Sequence, residues 1–224
     1  MHLASIIHIL GFLLTSLGFA LLLPLTVSWY CDSGDHFGFL IAAALAISCG
    51  LLAYKTTHLD HDLRAREGFA VATFTWALFP LFGCLPFVIS GTIPTFTDAF
   101  FETMSGFSTT GATILNDIES LPAGTLFWRS LTQWIGGMGI IVLALAVLPM
   151  LGVGGMQLFR AEKSGQVKDS KITPRIAETA KALWYIYLGL TVACAMAYWL
   201  AGMDAFDAIA HSFSTEEIQL GVYI

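Results

Sequence analysis

The chain has 224 residues, 56% of them hydrophobic and only 12% charged, with a formal net charge of −6. A soluble domain carries roughly a quarter of its residues charged, so half of the surface needed to face water is missing and lipid is the main solvent. The acidic balance speaks against a nucleic-acid partner. Cys31, Cys49, Cys84 and Cys194 lack metal-ligand spacing and read as small buried apolar residues, not as a disulfide framework.

A helix needs about 20 apolar residues to cross the hydrocarbon core. Five stretches qualify: about Leu3–Trp29 with Pro24 near its end, Phe37–Tyr54, Gly68–Ser90 interrupted by Pro80 and Pro86, Thr125–Met150, and Ala182–Ala201. With no basic residue before it and no small-residue cleavage site after it, the first reads as a retained helix and not a signal peptide.

Basic residues set the orientation. Lys55, Arg64 and Arg66 lie between the second and third spans, and Arg160, Lys163, Lys168, Lys171, Arg175 and Lys181 between the fourth and fifth. Cytoplasmic loops collect Lys and Arg, so both loops are placed inside, with the N-terminus cytoplasmic. The opposite loops hold Asp32, Asp35, Asp117 and Glu119 and no basic residue. Both sets agree only if the chain between spans three and four leaves and returns on the outer side.

That segment, Gly91 to Pro122, is the informative one. Thr95 and Asp98 have capping-box spacing just after Pro94, which predicts a helix over about Thr97–Phe107, too short to span. Ser108, Thr109, Thr110, Gly111, Ala112 and Thr113 follow, a small-residue run with one position free to adopt positive φ. Extended backbone at membrane depth is tolerated only where protein covers it or water bathes it. A short helix entering from outside, followed by a Thr/Gly stretch returning outward, is the layout of a cation selectivity filter, in which carbonyl oxygens replace an ion's water shell. The competing reading is an outer loop at the interface.

The segment also recurs. Asp98-Ala99-Phe100 with Phe107-Ser108-Thr109 matches Asp204-Ala205-Phe206 with Phe213-Ser214-Thr215 at a constant offset of 106 residues (204 − 98 and 215 − 109). Repeated units building a site near the midplane are common in transport proteins. The second copy then diverges into Glu216-Glu217-Ile218-Gln219 where the first has Thr110-Gly111-Ala112-Thr113.

Three stretches carry a resemblance: REGFAVATFTWALFPLFGCLPFVISG from Arg66, DAFFETMSGFSTTGATIL from Asp98, and FWRSLTQWIGGMGIIVLALAVLPMLGVGGMQLFRAE from Phe127. They resemble the TrkH-type subunits of the Trk/Ktr/HKT superfamily of potassium transporters, over the chain up to about Thr215. The resemblance implies an all-α integral membrane protein of the bacterial inner membrane, built of helix–pore loop–helix repeats around one permeation path. It divides the chain into an N-terminal helix pair (1–58), a first pore repeat (66–156), a basic cytoplasmic loop (157–181) and an incomplete second repeat (182–224). It implies a potassium filter at Thr109, Thr110, Gly111 and Ala112, with potassium as substrate and no cofactor. Homodimers and a cytosolic ring of nucleotide-binding regulatory subunits are the partners implied beside the bilayer. A family subunit has further repeats, so the chain reads as its N-terminal portion, truncated.

Other candidates are weighed beside this one. Asp98 and Glu102, four residues apart on one helix face, are expected in the outer vestibule, where they concentrate cations or contact neighbouring helices. No nucleophile or histidine accompanies them, and the chain is not read as an enzyme. His58, Asp60, His61 and Asp62 imitate a metal site but read as solvated loop residues. Arg129 is expected to snorkel or to pair with an acidic residue such as Glu102. Gly136, Gly137, Gly139, Gly152, Gly154 and Gly155 suggest close helix packing, and Trp29, Trp128 and Trp199 interfacial anchoring. The functional alternative is a non-conducting membrane protein that only assembles with partners.

Overall fold

A computed structural model describes residues 2–58, 65–118, 120–147 and 172–222. The described residues form helices α1 (Leu3–Ala20), α2 (Leu22–Tyr30), α3 (His36–Thr56), α4 (Ala65–Gly83), α5 (Leu85–Ser90), α6 (Phe96–Phe107), α7 (Ala123–Val147), α8 (Ile172–Leu200) and α9 (Ala205–Val222), with no strand among them. Among the described residues, four stretches are long and apolar enough to cross a bilayer: Leu3–Tyr30, His36–Thr56, Arg66–Ser90 and Glu178–Leu200. The expected span over 125–150 coincides in its described part with α7, whose 25 residues reach about 37 Å at the rise of an α-helix. The chain is an all-helical, multi-pass membrane protein.

Prolines break the spans at chemically defined places. Pro24 has no N–H to offer the carbonyl four residues earlier, Ala20, and α1 ends there, with Leu21 as a turn before α2. Pro86 does the same to the Phe82 carbonyl. The third span divides at Cys84, with Pro86 in the first turn of α5, whereas Pro80 stays inside α4.

The chain forms two compact units, Met1–Gln133 and Trp134–Ile224. In the first, α1 and α3 pack antiparallel with touching backbones. A Cβ on Gly11 would lie 2.7 Å from the Tyr54 nitrogen and 2.8 Å from the Gly50 carbonyl, and one on Gly50 would lie 2.6 Å from the Thr15 nitrogen. Small residues permit this approach. Gly139, singled out for the same role, has nothing within 4 Å of a Cβ placed on it; Gly152, Gly154 and Gly155 lie outside the described residues.

Where α4, α6 and α7 meet, Trp128 is fully buried and its indole N–H donates to the Gly83 carbonyl at 2.8 Å. The carbonyl sits at the C-terminal end of α4, where no intrahelical donor remains for it. Phe107 lies edge-on to Trp128 at 6.1 Å and tilted against Phe79 at 5.5 Å. Trp128 is therefore a core residue and not the interfacial anchor its position near a span end suggested, while Trp29 and Trp199 are exposed as expected.

Asp35 also departs from expectation. Although it belongs to an acidic loop expected on the outer side, it is buried and accepts from the Thr125 backbone N–H (2.8 Å), the Thr125 hydroxyl (3.0 Å), Ser33 (2.5 Å) and Ser28. Thr125 is the third residue of α7, whose first-turn N–H groups lack intrahelical partners, so Asp35 supplies from a distant loop what an N-cap normally supplies locally. Of the cysteines only Cys84 is buried; Cys194 is half-buried, and Cys31 and Cys49 are exposed. An apolar run tells how greasy a segment is, not which side of the helix meets protein.

In the second unit α8 begins at Ile172, so residues 172–181 of the expected 157–181 loop are helical and residues 157–171 lie outside the described residues. Their charges hide them from an apolar-span criterion, although Pro174 in the first turn and Ala177, Glu178, Ala180 and Lys181 after it favour a helix. Trp134 of α7 donates to the Thr191 hydroxyl of α8 at 3.0 Å, and the Tyr198 and Thr215 hydroxyls bond at 2.8 Å, tying α8 to α9.

Candidate functional site

The short helix α6 starts where Pro94 and Thr95 predicted. Thr95 is its N-cap residue, in extended conformation (φ −86°, ψ 123°), but its side chain makes no capping bond. Asp98 lies in the first turn, where a carboxylate complements the helix dipole. At about 1.5 Å per residue the helix is about 18 Å long, well short of a bilayer core. Its end is wound tight: the N–H groups of Ser108, Thr109 and Thr110 bond the carbonyls of Met104, Gly106 and Ser105 at 2.9–3.0 Å.

Beyond that end the backbone alternates in hand. Thr109 has φ 56° and Gly111 φ 72°, whereas Thr110 and Ala112 do not have positive φ. Gly111 adopts this conformation at no steric cost. For Thr109, a β-branched residue, it is a strained outlier of the kind that clusters at functional sites. In a β-strand successive carbonyls point to opposite sides; a backbone whose hand inverts at every second residue, as at Thr109 and Gly111, departs from that alternation. Thr110 to Ile114 are exposed.

Behind it lies a buried polar brace. Glu102, 4% exposed, receives at Oε1 both the Nε (2.9 Å) and Nη2 (2.6 Å) groups of Arg129 on α7. The Thr113 hydroxyl donates to the same carboxylate at 2.9–3.0 Å, and the Ile114 N–H donates to Oε2 at 3.1 Å. The Thr113 oxygen in turn accepts the Leu115 N–H at 3.1 Å. One turn along α6, Ser105 donates to the Ala112 carbonyl at 2.6 Å. Phe87, Gly106, Thr132 and Gln133 complete the wall of a small pocket around Glu102, Ser105, Ala112 and Arg129.

Arg129 thus pairs with Glu102, the second of its two expected fates. Glu102 does not face an outer vestibule as a free charge. Its oxygens are taken up by Arg129, Thr113 and Ile114, because α6 turns this face toward α7 and the returning chain. Asp98, one turn earlier, is half-buried and is not brought into this network. Of the imitation metal cluster, Asp60, His61 and Asp62 lie outside the described residues, and among the described residues no group of three or more potential ligands could hold a metal.

The family model described as a cation transport protein, TrkH, matches residues 36–218, most of the chain. The chain belongs to the TrkH family. It is 50% identical over 217 residues to the Trk system potassium uptake protein TrkH of Vibrio parahaemolyticus, covering 96% of this chain and 45% of the relative. The TrkH protein of Escherichia coli K12 is 49% identical with the same coverage, and TrkG of that strain is 42% identical over 216 residues, 96% of this chain and 44% of the relative. The crystal structure of the potassium transporter TrkH from Vibrio parahaemolyticus superposes with a TM-score of 0.82 at 44% identity, covering 96% of this chain and 43% of that one. The chain spans less than half the length of the curated relatives it matches.

The second copy of the repeat in this TrkH-family chain begins like the first. Asp204 directly precedes α9, whereas Asp98 is the third residue of α6, and Phe206 N–H bonds the Asp204 carboxylate at 3.3 Å. Where α6 stops at Phe107, α9 runs on past the matching Phe213 to Val222.

Proposed function

We propose that this chain contributes one filter segment and its supporting helices to a potassium-conducting pore in the bacterial inner membrane. In this reading residues 1–58 are a flanking helix pair, 66–156 a complete helix–pore loop–helix repeat, 157–181 a cytoplasmic basic segment and 182–224 part of a second repeat. Potassium passes along the carbonyls of Thr109, Thr110, Gly111 and Ala112, and α6 directs its negative C-terminal end toward the ion. The observation that carries the proposal is the alternating backbone of Thr109–Ala112 at the end of a helix too short to span. The relatives, named potassium uptake proteins, supply the ion. The rest of the pore, a homodimeric arrangement and docking of a cytosolic nucleotide-binding ring against the basic segment belong to the same proposal. The N-terminus is cytoplasmic in it.

The test uses residues 1–215 joined to the matching remainder of the Vibrio parahaemolyticus relative, expressed in cells without potassium uptake of their own. No atom lies within 4 Å of a Cβ at Gly111, so a side chain there costs only the left-handed backbone, about 1–2 kcal/mol. Gly111→Ser should therefore lower potassium-over-sodium uptake more than Ala112→Ser does. Unchanged discrimination in Gly111→Ser places the filter elsewhere. Failure of the unmutated fusion to take up potassium favours the alternative, a membrane protein that only assembles with partners.

A further inference from the structure

Glu102 makes contacts that the filter itself does not require for its chemistry. It lies in the middle of α6, and yet both oxygens reach out of that helix. Oε1 takes two N–H groups of Arg129 and Oε2 takes the N–H of Ile114, with the Thr113 hydroxyl donating to the same carboxylate. Thr113 and Ile114 are the residues directly after Ala112. The other side of the filter segment is held by the wound end of α6, and Ser105 holds the Ala112 carbonyl from behind. The run from Thr109 to Ala112 is thus exposed in its middle and held at both ends by one helix, at the second end by the Ser105 hydroxyl and one buried carboxylate.

Resting on the filter reading above, we propose that Glu102 is a positioning residue for ion selectivity: its carboxylate, oriented by Arg129, fixes Thr113 and Ile114 and thereby the placement of the carbonyls just before them. The donors leave no room for an amide in its place. In whichever orientation a glutamine sat, its NH2 group would meet either the Arg129 guanidinium or the Ile114 N–H, donor against donor. An isosteric change therefore breaks one end of the brace while leaving the volume of the site intact. The charge pair alone would stabilise α6 against α7; the Ile114 N–H and Thr113 hydroxyl make it act on the filter.

The fusion described above provides the assay, with potassium and sodium uptake measured for each variant and normalised to the amount in the membrane. Glu102→Gln should lower the potassium-to-sodium ratio about fivefold or more, since a buried charged acceptor has become a mismatched donor. Thr113→Val, which removes one hydroxyl at constant shape, should lower it in the same direction by less. If Glu102→Gln does not reach the membrane, Thr113→Val decides. A ratio within twofold of wild type, in Glu102→Gln or in Thr113→Val when it decides, overturns the proposal. Gly111→Ser measured in parallel separates the two ideas. A lowered ratio there with an unchanged one in Glu102→Gln sinks the brace alone, and an unchanged ratio in Gly111→Ser sinks the filter reading and the brace with it.

Discussion

Removing the carboxylate of Asp35 should loosen the first unit at the start of α7, one turn before Arg129. Asp35→Ala deletes the acceptor for the Thr125 N–H and hydroxyl and for Ser28 and Ser33, all beside buried protein. The three hydroxyls can rotate toward other acceptors, but the N–H in the first turn of α7 cannot. Gly124 offers no side chain to replace the lost contact, since a Cβ there would lie 2.8 Å from Asp35 itself. An orphaned buried donor costs about 1–3 kcal/mol, and the lost charged hydrogen bonds bring the total to about 2–4 kcal/mol, allowing for their coupling. Asp35→Asn keeps one carbonyl oxygen for the Thr125 N–H and should cost about 1 kcal/mol. Cys84, fully buried between α4 and α5, provides the readout. With Cys31, Cys49 and Cys194 replaced by serine, the rate at which a thiol reagent modifies Cys84 in detergent-solubilised protein follows opening of this unit. Asp35→Ala should raise that rate about 30- to 700-fold, at about 1.4 kcal/mol per decade, and Asp35→Asn about fivefold. Modification of Asp35→Ala within threefold of wild type, or of Asp35→Asn as fast as Asp35→Ala, would refute the capping argument.

Two further outcomes are expected. In a cysteine-free background, a cysteine at Asn116 should react with an impermeant thiol reagent on intact cells and one at Ser164 should not; the reverse pattern overturns the orientation drawn from the basic residues. Gly50→Leu should separate α1 from α3, because even a Cβ there would lie 2.6 Å from the Thr15 nitrogen. The cost should exceed about 3 kcal/mol, the upper range for overpacking a core against side chains alone, and labelling of Cys84 no faster than in the unmutated protein would show that the crossing yields.

Periodicity and hydropathy were enough to find the membrane helices, because a span is defined by the composition of one continuous segment. The start of α6 was legible for a similar reason: Pro94 and Thr95 act on their own neighbours. Gly111 could be singled out because only glycine reaches positive φ freely, but Thr109 could not, since its strained φ is imposed by the wound end of α6 and the return of the chain. Contacts across long separations left no local mark. Asp35 and Thr125 are 90 residues apart, and nothing near either distinguishes this carboxylate from Asp32, which remains an ordinary loop residue by sequence. Trp128 near a span end reads as an anchor by statistics, and its burial is accompanied by a bond to the carbonyl of Gly83 at the end of α4, 45 residues away. The Glu102–Arg129 pair was legible only as one option among several, and the donors from Thr113 and Ile114 were not legible at all.

The two copies of the repeat show how few residues decide whether a short helix ends in a candidate filter. Both carry Asp-Ala-Phe at the start and Phe-Ser-Thr at the same distance beyond, and both begin a helix there. After Thr109 the first copy has Thr-Gly-Ala-Thr, with a glycine to take positive φ and no strong helix former except Ala112, so the helix unwinds. After Thr215 the second has Glu-Glu-Ile-Gln-Leu, of which all but the β-branched Ile218 lose little freedom in a helix, and α9 continues to Val222. Local propensity alone would therefore let the first copy fray into many conformations, since nothing in Thr-Gly-Ala-Thr selects one. The selection comes from outside the segment, from the Ser105 hydroxyl on Ala112 and the Glu102 carboxylate on Thr113 and Ile114. The second copy has Ile209 and Ser212 at the positions equivalent to Thr103 and Gly106, Ala208 at that of Glu102, and His211 at that of Ser105. It lacks both pins as well as the glycine. A flexible sequence and the groups that fix it thus occur together in one copy and are absent together from the other, which is the pattern expected if the brace and the filter are parts of one device.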